Sequence, residues 1–200
     1  MDWDQPASVL EGELVRLEPL APAHAAGLRE AGGDAEVWRW MPLNGSTPEQ
    51  FDRWFERMLA DSTAGVQASF ATLDRASGRP IGHTSYMALR PEHRGLEIGW
   101  TWLERDRWRS GANVECKLLL MEHAFGALDC MRVEYKTDAL NERSRRALEG
   151  IGAQFEGIFR SHMIVRGEVI RDSAYYSVIA AEWPGVRERL QRRLAAHRGG

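Results

Sequence analysis

A long apolar helix held between two strand-like segments does most to limit what this chain can fold into. In "GANVECKLLLMEHAFGAL" the residues Val114, Leu118, Met121, Phe125 and Leu128 recur at helical spacing, a stripe widened by Leu119, Leu120 and Ala124. Ahead of it "LEIGWTWLE" reads as a strand. Behind it "RVEYKTD" alternates, with Val133, Tyr135 and Thr137 against Arg132, Glu134 and Lys136. A strand, a helix and a strand in that order form a crossover whose two strands are parallel. So much apolar surface on the helix needs burial against a sheet.

The segments before the crossover read as a mostly antiparallel series. Residues 13–17, "ELVRL", form a short strand stopped at Pro19, and a helical pattern runs from Pro22 to Glu30, ended by Gly32 and Gly33. "EVWRWMP" is a turn or short helix. Thr47 as N-cap, Pro48 at the first position and Gln50 as capping-box partner open a helix over 48–60, with Phe51, Trp54, Phe55, Met58 and Leu59 on one face. "VQASFATLD", "IGHTSYMAL" and "LEIGWTWLE" are three strands joined by the short turns "RASGRP" and "RPEHRG", which makes a meander.

After the crossover a helix runs from Asn141 to Ile151 and closes at Gly152. A final pair of strands turns near Arg166-Gly167, and a basic helix follows Pro184. The expected architecture is α+β: a mixed, mostly antiparallel sheet of about seven strands flanked by helices, with one parallel crossover. We expect a single domain with its core over 13–183 and the basic C-terminal helix over 184–200. Ligands in such sheets bind at the carboxyl ends of strands beside the crossover, which points to residues 101–113.

Composition narrows the function classes. The formal net charge of −3 argues against a nucleic-acid partner, and the arginines near the end, Arg187 to Arg198, read as a solvated helix face. No 18-residue apolar run and no basic leader are present, so the expectation is a cytoplasmic protein with no membrane partner. Cys116 and Cys130 lack metal-ligand spacing, so reduced thiols and no metal are expected. The helix start Arg109-Ser110-Gly111-Ala112-Asn113 stays open on spacing alone. It is either an anion cradle of free N–H groups or an ordinary N-terminus with a surface arginine.

Four fragments in order carry a resemblance: "LEIGWTWLE", "WRSGANVECKLLLMEHAF", "RVEYKTDALNERSRRALEGIGAQFEG" and "FRSHMIVRGEVIRDSAYYSVIAAEW". Together they resemble the GNAT superfamily of acyl-CoA-dependent N-acetyltransferases, nearest its RimJ/RimL-type branch, over almost the whole chain. Two departures stand out. The family's pyrophosphate loop, [QR]-x-x-G-x-[GA], is one residue short here, with Arg109 and the lone Gly111. The tyrosine that many members carry seven residues after the helix-opening asparagine is Leu148.

The resemblance implies acetyl-CoA as donor and direct transfer in a ternary complex to a primary amine, either a protein N-terminus or a small amine. A second copy in a homodimer is a further expected partner. It implies that Arg109, Ser110, Gly111, Ala112 and Asn113 face the pyrophosphate, and that the main chain of Trp100, Thr101, Trp102 and Leu103 pairs with the pantetheine amides. It implies that Asn141, a good N-cap in its own right, contacts the cofactor. Glu97 matches the glutamate that many members use as general base, although a solvent-facing strand glutamate is the common alternative. Ser144 is the matched candidate for the acid that protonates the thiolate, against a plain surface serine. Arg160 and His162 either line the acceptor pocket or pair at a sheet edge, and His83, Tyr86, Tyr175 and Tyr176 have weaker claims. Trp38 to Met41 and the helix over 48–60 would shape the acceptor pocket. From a different function class, a GNAT-fold protein that binds acyl-CoA without catalysis would show the same motifs.

Overall fold

The computed structural model describes residue 3 and residues 6–198. The strands are β1 (Leu10–Glu11), β2 (Val15–Pro19), β3 (Ala68–Asp74), β4 (Pro80–Arg90), β5 (Gly95–Leu103), β6 (Arg132–Asp138), β7 (Gln154–Val165) and β8 (Val169–Ile179). The helices are α1 (Ala25–Ala31), α2 (Pro48–Thr63), α3 (Ala112–Gly126), α4 (Glu142–Ile151) and α5 (Trp183–Arg198). One sheet contains all the strands in the order β1-β2-β3-β4-β5-β6-β8-β7. Every neighbouring pair is antiparallel except β5 and β6, whose connection is α3.

Among the described residues the sheet has eight strands rather than seven, and β1 is the addition. Two residues are too few to show alternation, so nothing local marks it. The turn that joins it to β2 is held from outside. Glu115, buried in the first turn of α3, accepts the N–H groups of Glu13, Leu14 and Val15 at 3.0, 2.7 and 2.8 Å. Gly12 has to be small there, since a Cβ would lie 2.4 Å from Glu115 Oε2. Charge-assisted bonds of this kind are roughly twice as strong as neutral ones. Glu115→Ala strands three backbone donors, and we expect a loss of about 3 kcal/mol in urea unfolding.

Two cores cover the two faces. On one, Phe70, Tyr86, Leu96, Ile98, Val133, Tyr135 and Tyr176 meet α3 and α5, with Leu120, Met121 and Leu190 at the contact. On the other, Trp38, Trp54 and Trp102 interlock with ring centroids 5.1–5.5 Å apart, under α1 and α2. Alternation in β5 therefore sends Leu96 and Ile98 to the α3 face and Glu97 to the α2 face. In β6 it sends Tyr135 to the α3 face and Lys136 to the α2 face. Thr47 caps α2 and Asn141 caps α4 through their side-chain oxygens, as their positions imply, while Gln50 Oε1 is buried without a partner and does not close the box. Val186, Leu190 and Leu194 bury one side of α5; Arg187 and Arg192 are exposed, while Arg189 and Arg193 reach toward Gly152 and Gly150 at the end of α4.

Candidate active site

The parallel pair is short. Only Gly95, Leu96 and Glu97 of β5 pair with β6, opposite Arg132, Val133 and Glu134. Beyond Glu97 the strands part, and the β5 edge over residues 98–103 has no strand neighbour on that side. A bulge drives the divergence: the β4–β5 register jumps between His83 and Ser85, and Trp100 takes φ 50°. The His83 ring holds the bulge, with Nδ1–H donating to the Trp100 carbonyl at 3.0 Å. Beside it Thr84 and Thr101 share a hydroxyl bond of 2.8 Å.

Full burial pushes the His83 pKa down to about 4, so the ring stays neutral. Its folded pKa lies below the unfolded value near 6.5, so as pH falls the unfolded chain takes the proton first. The stabilisation is complete above about pH 6.5 and is lost toward pH 4, a change of about 3 kcal/mol. We expect urea midpoints at pH 7 and pH 4.5 to differ less in His83→Asn than in the wild type, because asparagine keeps a donor and cannot titrate.

The gap opens a cavity of about 550 Å³ that reaches both faces of the sheet. On the α2 face it is lined by Glu97, Lys136 and Arg171, with Trp40 to Leu43, Arg57 and Asp61 at the rim. On the α3 face it is lined by Lys117, Tyr135, Ser144 and Leu148, with Asn141 at the edge. Glu97 is buried; Lys136 Nζ donates to its Oε2 at 3.2 Å, and Oε1 has no hydrogen bond to a described residue. Burial raises the Glu97 pKa, and the Lys136 ammonium pulls it part of the way back. Gly99 leaves room beside it, for a Cβ there would meet Met87 Sδ at 2.5 Å and Glu97 Oε1 at 3.2 Å.

Lys117 is the residue that sequence reasoning missed on the α3 face. It is buried, its Nζ lies 4.7 Å from the Tyr135 ring centroid, and no carboxylate pairs with it among the described residues. Burial brings its pKa down to about 8. The Tyr135 hydroxyl is also buried, with no hydrogen-bond partner among the described residues. A signal existed: Lys117 stands three residues after Val114 and four before Met121, inside the apolar stripe of α3, where an unpaired lysine is rare. Ser144 lines the cavity from the first turn of α4, and Leu148 is buried one turn on. Cys116 and Cys130 are buried and pushed up to about 12, so neither supplies a thiolate.

At the start of α3, Arg109 and Gly111 both take left-handed φ, 65° and 88°. Such a turn gathers N–H groups into a concave nest. Two of the expected donors are occupied: Ser110 N–H bonds the Arg107 carbonyl at 3.4 Å, and Ala112 N–H bonds Ser110 Oγ at 3.3 Å. The N–H groups of Gly111, Asn113 and Val114 bond no described residue. Arg109 is exposed. From α4, the Arg143 guanidinium stacks 3.8 Å from the Trp108 ring centroid and ties α4 to this loop. Trp102 and Leu103 are buried, and the Leu103 carbonyl already accepts from Trp108 Nε1 at 2.9 Å, so it is not free to pair with a ligand.

Arg160 is exposed on β7 and does not line the cavity. His162 bonds Ser173 Oγ through Nδ1 at 3.0 Å and the Tyr175 hydroxyl through Nε2 at 3.2 Å, beside the cavity rather than on its wall. The β7–β8 turn closes the α2 side instead. Arg166 donates its N–H to the Pro42 carbonyl at 3.0 Å, and its guanidinium reaches the carbonyls of Met41 and Arg39. Trp38 belongs to the aromatic core, and Trp40 to Leu43 form the rim.

The comparisons with known proteins agree with this architecture. The chain is 32% identical to a putative ribosomal N-acetyltransferase, YdaF, of Bacillus subtilis, over 86% of this chain and 95% of that one. A putative acetyltransferase structure from T. thermophilus superposes with a TM-score of 0.84 at 40% identity, covering 94% of this chain and 97% of that one. The fold is also that of Mycobacterium smegmatis RimJ in complex with CoA-disulfide, with a TM-score of 0.76, 20% identity and 93% of each chain covered. The family model for the acetyltransferase (GNAT) domain matches residues 15–154. With that match over more than half its length, the chain belongs to the GNAT family and is an N-acetyltransferase.

Proposed function

We propose that the chain transfers the acetyl group of acetyl-CoA directly to a primary amine, with both substrates bound together in the gap between β5 and β6. The observation that carries this reading is the continuous cavity open to both sheet faces, with Glu97 on one wall and Lys117 and Ser144 on the other. Acetyl-CoA, the donor of this family, supplies an activated thioester. The residues fit it: the N–H nest at Gly111, Asn113 and Val114 suits the pyrophosphate, and the unpaired β5 edge suits the pantetheine amides. Arg109 and Asn141 would add side-chain contacts.

The Glu97 carboxylate takes the proton that the amine nitrogen loses as it bonds to the acetyl carbon. Lys117 gives its proton to the sulfur as the carbon–sulfur bond breaks and the electron pair moves to sulfur. Ser144 holds the same sulfur by a hydrogen bond, since a hydroxyl is too weak an acid to release its proton there. Lys117 is then recharged from water, and Glu97 returns its proton to solvent. The deeply buried thiols support direct transfer without an acyl-enzyme.

The chain would act as one N-acetyltransferase domain in the cytoplasm. Exposed apolar side chains on the edge hairpin, among them Phe155, Phe159, Ile164 and Ile170, are the surface a homodimer would cover. A protein N-terminus, as in the RimJ/RimL branch, and a small amine both satisfy the chemistry so far. Calorimetry with acetyl-CoA, followed by thiol release with amines, tests the reading: binding with amine-dependent release is expected. Binding without turnover on any amine would make the chain an acyl-CoA sensor, and no binding would remove both readings.

A further inference from the structure

Arg171 is buried with no hydrogen-bonded or ion-paired partner among the described residues, although the Asp138 and Glu97 carboxylates act on its charge from further off. It lies on β8, 6% exposed, facing the cavity, with its Nε sealed and without a hydrogen-bond partner. Its guanidinium makes no hydrogen bond or ion pair with any described residue. A buried cation left unpaired is costly, so a position that keeps one is expected to meet an anion when the site is filled.

The rest of the cavity sharpens the point. Five of the lining side chains are lysine or arginine and two, Asp61 and Glu97, are carboxylates. Both carboxylates are already engaged, with Arg57 and Lys136 at 3.5 and 3.2 Å. Arg166 is occupied by main-chain carbonyls, and Lys117 lies on the opposite face. Among the residues lining this cavity the surplus positive charge on the α2 face therefore centres on Arg171, with Asp138 of β6, outside the lining, as the carboxylate that acts on it most. The thioester end of acetyl-CoA is neutral, so it brings no counter-charge to that wall.

Glu97 and Arg171 face the same side of the sheet. β6 lies between their strands, and the β8 residue opposite Glu97 through Glu134 is Ser177. Arg171 therefore stands six residues, about 20 Å, further along, and the two long side chains still bring their charges close enough to act on each other. Resting on the acetyl-transfer reading above, we infer that the acceptor is a small amine that also carries a carboxylate, with its nitrogen at Glu97 and its carboxylate on the Arg171 guanidinium. The polycationic amines, spermidine among them, meet like charge on this wall and are excluded by it. A guanidinium with only its outer nitrogens exposed suits a single carboxylate approached end-on.

Thiol release from acetyl-CoA is measured with the twenty amino acids, with 2-phenylethylamine, agmatine and spermidine as carboxylate-free amines, and with O-phosphoethanolamine as the phosphate arm. Amino-acid binding to the free chain is read in parallel by calorimetry. We expect at least one amino acid to exceed its decarboxylated amine by about 100-fold in kcat/KM. Arg171→Met should abolish that preference and the calorimetric signal through KM, with kcat little changed, and Arg171→Lys should keep part of it. Carboxylate-free amines as good as amino acids, a preference for the phosphate arm, or an undiminished preference in a folded Arg171→Met would each overturn the inference. The wild-type panel decides it even where the variant does not fold. Acetyl-CoA binding with no amine of the panel turned over removes this inference and leaves donor binding standing; no acetyl-CoA binding removes the acetyl-transfer reading itself.

Discussion

Glu97→Gln is expected to lower kcat by about 10²–10⁴-fold while leaving acetyl-CoA affinity within about twofold of the wild type. The amide fills the same space and still accepts from Lys136 at the oxygen, so packing is kept and only basicity is removed. The carboxylate sits where a proton must be collected: Oε1 faces the cavity with no hydrogen bond to a described residue, and burial has raised its pKa against the pull of Lys136 and Arg171, with Glu134 adding to the rise. Because Glu97 must be ionised to act, turnover falls as pH drops through its raised pKa. That acid limb should vanish in Glu97→Gln. Full turnover with an unshifted acid limb would remove Glu97 as the base.

The second large effect concerns the opposite wall. Lys117→Met keeps a flexible side chain of similar length inside the α3 stripe and deletes the proton. We expect kcat to fall by about 10²-fold, the low end for general-acid removal, because a thiolate leaves more readily than an alkoxide. The wild-type rate should decline above about pH 8, where Lys117 loses its proton with Tyr135 and Cys116 beside it, and the variant should lack that limb. A binding measurement separates this role from a structural one. With CoA bound, the ammonium should lower the thiol pKa by about one unit, read from thiolate absorbance, and Lys117→Met should restore the ordinary value. An unchanged thiol pKa in a variant with a wild-type melting curve would assign the proton to another group.

Much of the fold is legible in the residues because local signals and burial agree. The alternation of "RVEYKTD" matches the observed partition, Val133 and Tyr135 inward and Glu134 and Lys136 toward α2. Thr47 and Asn141 cap the helices that their positions announce. The active-site geometry is less legible because it depends on irregular backbone. The gap between β5 and β6 follows from the bulge at Trp100, a non-glycine residue at positive φ that no propensity marks.

The same physics explains Arg160 and His162. Their spacing of two would put them on one face of a regular strand, but β7 shifts register between Phe159 and Met163, and Ser161 sits at φ 50°. Alternation fails across such a bulge. Arg171, Ser173 and Tyr175 share one face of β8, whose pairing with β6 has no such break, but three polar residues in a row, Arg171, Asp172 and Ser173, hide that face in the sequence. Lys117 was readable, as a charge inside an apolar stripe, but helical periodicity alone counts it as an imperfection.

The central claim is that one gap in the sheet brings donor and acceptor together between Glu97 and Lys117. A crystal structure of the chain with CoA bound tests it most directly. The account predicts the pyrophosphate at the N–H groups of Gly111, Asn113 and Val114, the pantetheine along the β5 edge beyond Glu97, and the sulfur within hydrogen-bonding reach of Lys117 Nζ and Ser144 Oγ. A CoA chain lying outside the gap, or a sulfur out of reach of Lys117, would contradict it.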